Sequence, residues 1–380
     1  MTAWLIVAGD FTPLGGMDAA NHALARYLST RDDVYLVTHR AWPDLVRPRV
    51  SIDLVARPLG HALGAPMLDH RGRRAWARLR GTDARAIVNG GNCAIPGAIN
   101  WVHYLHAAYE PEGVTSPLRR AKHAVTRVHD LANERAALLS ASLVICNSRR
   151  TRRDVLDAYE VDPDRVHVIY YGCDPSRLTH VSEDERRSAR AALGWPGDRH
   201  VAAFVGALGD RRKSFDTVFA AWTSLCADPS WDVDLVVIGT GAEQPAWEER
   251  ARAAGLGDRI RFLGFRAEVP ELLAAVDLTV HPARYEAYGL AVREALCRGI
   301  PAVVTASAGV AEEYDGALRE LLIENPDAPD ELAMRLRAWS RDRVPFATAA
   351  AALGDRLRAR TWDRMAEDIV HVATAHESVR

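Results

Sequence analysis

Lysine is almost missing from this chain. Of 48 basic residues only Lys122 and Lys213 are lysines. Where arginine is the default cation, Lys213, directly after Arg211 and Arg212, marks a position suited to a compact ammonium rather than a planar fork. Cysteine is scarce as well. Cys93, Cys146, Cys173, Cys226 and Cys297 are scattered and form no CxxC pair, which argues against a disulfide framework or structural zinc and fits reduced thiols. No apolar run reaches the roughly 18–20 residues that cross a bilayer. The opening Met-Thr-Ala-Trp-Leu-Ile-Val-Ala-Gly-Asp is too short and wrongly flanked for a signal peptide, so the expected address is the cytoplasm. Excess charge is also lacking overall, with a net −2, although residues 1–180 hold 23 basic and 18 acidic side chains and the remainder 25 and 32.

What is present is an ordinary globular composition, 48% hydrophobic and 26% charged, over 380 residues, enough for two domains. Two stretches begin alike. Residues 3–8 read as a buried strand, followed by a turn containing Gly9, Gly15 and Gly16 and then an amphipathic helix over 19–28. Residues 201–205 repeat the form, with Gly206 and Gly209 in the turn and the cations Arg211, Arg212 and Lys213 after it. Strand, glycine-rich turn and helix form the opening of a Rossmann-like unit, where glycine lets backbone approach a phosphate at the helix N-terminus. The first turn does not match G-x-G-x-x-G, and no acidic residue closes the next strand in the dinucleotide pattern. Short apolar runs at 34–37, 52–55 and 86–89 predict further strands of a parallel sheet.

The most informative stretch is 281–313, HPARYEAYGLAVREALCRGIPAVVTASAGVAEE. A strand ends at His281, Glu286 precedes Gly289, and Leu290, Ala291, Val292, Ala295 and Leu296 read as a buried helix that also carries Glu294. Two carboxylates thus flank a strand-to-helix turn. Eight helical residues span about 12 Å, which suits a ligand with hydroxyls at both ends and negative charge between them, the amides at the helix start facing that charge.

Glu286 and Glu294 with seven residues between them, then CRGIPAVVT and a Gly-containing turn ending in Glu312, resemble the signature of retaining family-4 glycosyltransferases of the GT-B fold. The resemblance runs along the chain in order, through Gly15-Gly16, His106, Asn147-Ser148, Gly206 to Lys213, Glu286, Glu294 and Glu312. It implies an α/β GT-B architecture of two facing Rossmann-like domains with parallel sheets and an interdomain cleft. Residues 1–178 would bind the acceptor, with a helix at about 361–380 packing back on them, and residues 179–360 the nucleotide sugar. The implied reaction moves a sugar from a nucleotide diphosphate sugar to a hydroxyl of a glycan, lipid-linked or small-molecule acceptor, with anomeric retention, no cofactor and no metal. By the same resemblance His106, Lys213 and Glu286 are the catalytic residues. Gly15, Gly16, Arg212, Lys213, Gly264, Phe265, Glu286, Ala287, Tyr288, Gly289, Leu290 and Glu294 are implied donor contacts: Arg212 and Lys213 for the diphosphate, Glu286 for sugar hydroxyls, Glu294 for the ribose diol and the Gly264-Phe265 loop for the base. The chain departs from the pattern at Tyr171, Ala207 and Ala308, where the family has Asn, Arg and often Gly. A non-catalytic sugar-nucleotide-binding partner and another GT-B enzyme such as an epimerase are the alternatives.

Other features have plainer readings. If the strand holding Asn100 to His106 continued, alternation would send His103 and His106 to opposite sides, which leaves His103 a structural role. Ser148 is placed to cap a helix over 149–159. The basic run 71–80 with Trp76, and Arg119, Arg120, Lys122 and Arg127 on a helix over 117–139, read as solvated faces, with peripheral contact to an anionic membrane held open. No nucleic-acid partner is expected, and the sequence leaves the oligomeric state open. Asp232 and Asp234 invite a divalent-metal reading, but side chains spaced this way at a strand start are usually solvated.

Overall fold

The computed structural model describes residues 2–58, 60–111, 117–195, 199–209 and 211–378. The chain divides into two compact units. One holds residues up to Glu110, those from 114 to Gly172 and those from Arg360 onward; the other holds Cys173–Ala359 and the stretch from Pro111. The boundary read from sequence at residue 178 lies a short way beyond this division.

The short Val-, Ile- and Leu-rich runs behave as strands covered on both faces. In the first unit seven strands pair in the order Val50–Leu54, Asp33–Thr38, Ala3–Val7, Ala84–Val88, Ile99–Val102, Leu143–Cys146 and Val166–Val168. Every pairing is parallel. Ser148 caps the helix Arg149–Ala158 as its sequence predicts, its side chain accepting from the Thr151 amide at 3.0 Å. The strand expected to run to His106 stops at Val102, and His106 instead opens a single 3₁₀ turn. The Glu134 carboxylate takes the amides of His106 and Ala107 at 2.7 and 3.1 Å, drawing the backbone out of the sheet ladder. The alternation argument for the two histidines therefore does not apply. The helix Trp362–Ser378 packs on Gly16–Leu28. A Cβ at Gly172 would lie 2.3 Å from the carbonyl oxygen of Thr361, so that crossing requires glycine.

In the second unit six parallel strands run in the order Ile260–Gly264, Val233–Ile238, His200–Val205, Leu278–His281, Ala302–Thr305 and Leu322–Ile323. The order reverses between His200–Val205 and Leu278–His281, the place where open α/β sheets hold their ligands. Phe204, Trp222, Leu235, Leu278, Leu296 and Val303 form part of a single buried core beneath it.

Asp234 is not solvated, contrary to the expectation for a strand start. It is 4% exposed, and Arg199 and Arg259 each donate to it at 2.8 Å, while Asp232 pairs with Arg343 at 3.3 Å. These carboxylates neutralise arginines. No helix among the described residues is long and apolar enough to cross a membrane. The five thiols are free. In the helix Pro117–Ser140, the side chains of Arg119, Arg120 and Lys122 lie outside the described residues, and Arg127 donates to the carbonyls of His106 and Tyr109 at 3.1 and 2.9 Å.

Candidate active site

Two loops leave the sheet of the second unit on either side of its switch point, one after Val205 and one after His281. The first carries Lys213 and the second Glu286, and their side chains meet in a direct ion pair. His281 completes the cluster, its Nε2 2.8 Å from the same Glu286 oxygen and 3.5 Å from the Lys213 ammonium. All three are shielded, with side-chain exposures of 15%, 12% and 3% for Lys213, Glu286 and His281. Burial alone would raise the Glu286 pKa, but the Lys213 charge and the His281 hydrogen bond outweigh it and hold the carboxylate well below its usual range. Burial, then repulsion from Lys213, lowers His281, which therefore stands as a neutral imidazole donating to Glu286. Arg212 donates to the carbonyl of Tyr285 at 3.3 Å and adds to the positive potential around Glu286.

The loop that bears the cations is held in a strained shape. Among the described residues the only non-glycines with positive φ are Arg211, at 30°, and Ser214, at 56°, conformations that persist only where their surroundings over-determine them. Arg284 supplies part of that constraint. Its amide donates to the carbonyl of Arg212 at 2.9 Å, and its guanidinium clasps Asp216 through two bonds of 2.9 Å. Three glycines end adjacent strands beside this loop. The Gly239 amide donates to the carbonyl of Gly264 at 2.8 Å, and a Cβ on Gly239, φ 137°, would lie 2.0 Å from the Gly206 oxygen. Ala207, where the family has Arg, is exposed.

Ala287 and Tyr288 are buried, and Gly289, φ 112°, begins the helix Leu290–Cys297 with no side-chain cap. A Cβ on Gly289 would meet Val310 at 2.9 Å, and the amides of Gly309 and Val310 donate to the carbonyls of Glu286 and Tyr288 at 3.1 and 2.6 Å. The turn is thus fixed, with the first-turn amides left to a ligand or to water. Glu294, on the same helix, is partly buried, and its carboxyl has no hydrogen-bond partner among the described residues. Burial pushes its carboxyl up to about 7, with Arg177 pulling the other way. Gly264 ends the edge strand at φ 69°, and Phe265 after it is 70% exposed.

The remaining sequence-derived residues belong to the first unit. Gly15, φ 85°, precedes the helix that starts at Gly16, and Asp18 lies beside it, its carboxyl raised to about 6 by burial and then by Asp10. His106 is held by a residue that sequence reading passed over. Glu134, fully buried, accepts from His106 Nδ1 at 3.1 Å and from the Tyr159 hydroxyl at 2.7 Å, besides the two amides already described. With Nδ1–H directed at Glu134, Nε2 is the acceptor nitrogen of the neutral ring. His103 is part of a buried neutral network: Nε2 faces the Asn89 amide at 3.0 Å and Nδ1 the Tyr171 hydroxyl, which also accepts from Asn147 at 3.1 Å. Tyr171, the departure from the family's Asn, is 3% exposed and serves as an anchor of this network.

The fold is that of a GT-B α/β protein built from two Rossmann-like parallel-sheet units. The profile described as Glycosyltransferase Family 4 matches residues 14–177, and that described as Glycosyl transferases group 1 matches residues 185–358. The chain belongs to this family-4-like group of GT-B glycosyltransferases. A D-inositol 3-phosphate glycosyltransferase of Salinispora tropica is 30% identical over 251 residues, 63% of this chain and 52% of that protein. The match thus spans about half of that relative's length. Among solved structures, a sucrose-phosphate synthase of Thermosynechococcus elongatus aligns with TM-score 0.78 and 20% identity over all of both chains. HepE of Anabaena, in complex with UDP-glucose, aligns with TM-score 0.73 and 20% identity over 99% of this chain and all of that one. At these identities the structures speak to the fold.

Proposed function

We propose that the chain transfers a sugar from a nucleoside diphosphate sugar to an acceptor hydroxyl with retention of anomeric configuration and without a required metal ion. The observation that carries this reading is the Lys213–Glu286–His281 cluster at the switch point, next to an uncapped helix N-terminus. A departing diphosphate needs fixed positive potential. Arg212 and the first-turn amides after Gly289 are placed to supply it, Lys213 joins them on leaving Glu286, and one preorganised donor typically lowers a barrier by about 3–4 kcal/mol. In the ligand-free state the ammonium is neutralised by Glu286. On donor binding Lys213 turns to the phosphates, and the Glu286 carboxylate accepts from sugar hydroxyls. The partnerless carboxyl of Glu294 suits a ribose diol. The ligand of HepE, UDP-glucose, has this sequence of groups. His106, held by Glu134, offers Nε2 to a donor-sugar hydroxyl. In a front-face displacement the bond from the anomeric carbon to the phosphate breaks as the acceptor oxygen bonds on the same side, and the leaving phosphate takes the acceptor proton.

The test is a nucleotide-sugar panel screened by thermal shift, followed by NMR assignment of the product anomer with and without EDTA. A ligand at about 100 times its Kd should stabilise the fold by roughly 2.7 kcal/mol. Failure of every nucleotide sugar to bind, or an inverted product, would overturn the reading.

A further inference from the structure

The first unit has a switch point of its own, between the strands Ala3–Val7 and Ala84–Val88, and a cavity of about 130 Å³ lies there. Gly9 and Asn92 reach it from just beyond these two strands, His39 from beyond Asp33–Thr38, and Arg57 from beyond Val50–Leu54. Four parallel strands thus deliver one residue each from their carboxyl ends, where such sheets bind ligands. Ala65 and Leu68 of the helix His61–Leu79 add an apolar wall. Sites for drug-sized molecules enclose roughly 300–1,000 Å³, so the occupant here is one small ring or the end of a larger molecule.

The polar groups converge with hydrogen-bonding capacity to spare. His39 Nδ1 donates to the carbonyl of Val55 at 2.9 Å, which makes Nε2 the acceptor of the neutral ring, and Nε2 has no partner among the described residues. The Asn92 side-chain amide has none either, and offers both a donor and an acceptor. Arg57 spends Nη2 on Asp10 at 3.2 Å and keeps its other N–H groups. Charge, by contrast, is balanced. Arg40 and Arg57 both pair with Asp10, at 3.0 and 3.2 Å, and Asp18 interacts with all three, so two cations face two carboxylates and no excess remains for a phosphate.

We propose that this cavity binds the acceptor and takes a neutral polyhydroxylated ring, a monosaccharide or cyclitol unit, whose hydroxyls pair with His39, Asn92 and Arg57 while its C–H face lies on Ala65 and Leu68. The proposal rests on the glycosyl-transfer reading for the word acceptor, but binding to the cavity is measurable alone. Saturation-transfer NMR on the full chain, without donor, is run against free hexoses, inositols and their monophosphates. At least one neutral member should bind, and its affinity should fall tenfold or more in Asn92→Ala and in the cavity-filling Ala65→Phe, with nucleotide-sugar affinity within twofold of the parent protein. Asn92→Ala guards against a folding defect in Ala65→Phe. Binding of the monophosphates alone, of nothing in the panel, or of a polyol insensitive to both variants would overturn the proposal. A chain that bound the polyol here but no nucleotide sugar would instead defeat the glycosyl-transfer reading and leave the cavity assignment standing.

Discussion

The two units share an architecture but place different groups at the carboxyl ends of their strands. In the second, a partly buried lysine and glutamate oppose one another with a neutral histidine wedged against them, and the carboxylate is held ionised despite its shielding. In the first, His103, Asn89, Asn147 and Tyr171 form a network with no formal charge, and the cavity beside Gly9 balances its arginines with aspartates. Under the proposed function the same backbone plan would serve two recognition problems, the charged cluster a diphosphate and the uncommitted donors and acceptors of the cavity a set of hydroxyls.

The contrast breaks most visibly at Lys213. Lys213→Met should lower transfer about 10²–10³-fold and also lower Tm, because Glu286 is left buried with no ammonium beside it. Glu286→Gln in the same chain should restore Tm but not turnover, measured by calorimetry and by initial rates. A double variant that regained transfer would show that the cluster is structural. Next in size is Glu134→Gln, expected to reduce kcat about tenfold with donor affinity unchanged. The ¹⁵N shifts of His106 should move away from the Nδ1–H tautomer. Unchanged kcat with a lost tautomer would mean that His106 acts without being held.

Glu294 sharpens the comparison through pH. In the proposed donor complex ribose hydroxyls bond the ionised carboxylate, which burial pushes up to about 7 in the free protein. Donor KM should therefore fall about tenfold from pH 6 to pH 8 as the group ionises. Glu294→Gln should flatten that profile at a raised KM. For ligand-free stability the sign is opposite. The folded pKa lies above the ordinary 4.5, so the folded chain holds its proton more tightly, and this contribution is full below about 4.5 and lost as pH rises through about 7. Glu294→Gln should remove that loss, seen as a higher relative Tm at pH 8. The smallest effect belongs to Asp232→Asn, which should shift Tm slightly and leave EDTA-treated rates unchanged. A strict manganese requirement that this variant abolished would restore the metal reading.

The succession of strands and glycine turns along the chain was legible because buried parallel strands are written as short apolar runs, and Lys213 stood out against an arginine background. Glu286 was legible from its place before Gly289. Glu134 was not, since a glutamate in a helix rich in charge looks solvated, and nothing local says that its carboxylate collects two amides, an imidazole and a phenol. Asp234 misled for the same reason: its arginines come from 35 and 25 residues away. His39, Arg57 and Asn92 meet only because the strand order reverses, and sequence spacing does not carry that information.

The glycine row beside the cation loop bears on which variants survive. With Gly239 against the Gly206 carbonyl, and a Cβ at Gly241 similarly 2.0 Å from the Leu208 oxygen, one added methyl at either position must push aside the chain segment leading to Lys213. Alanine at 239 or 241 should therefore mimic loss of the lysine itself, and a saturation screen read by growth or turnover would mark as intolerant two sites with no side chain to offer.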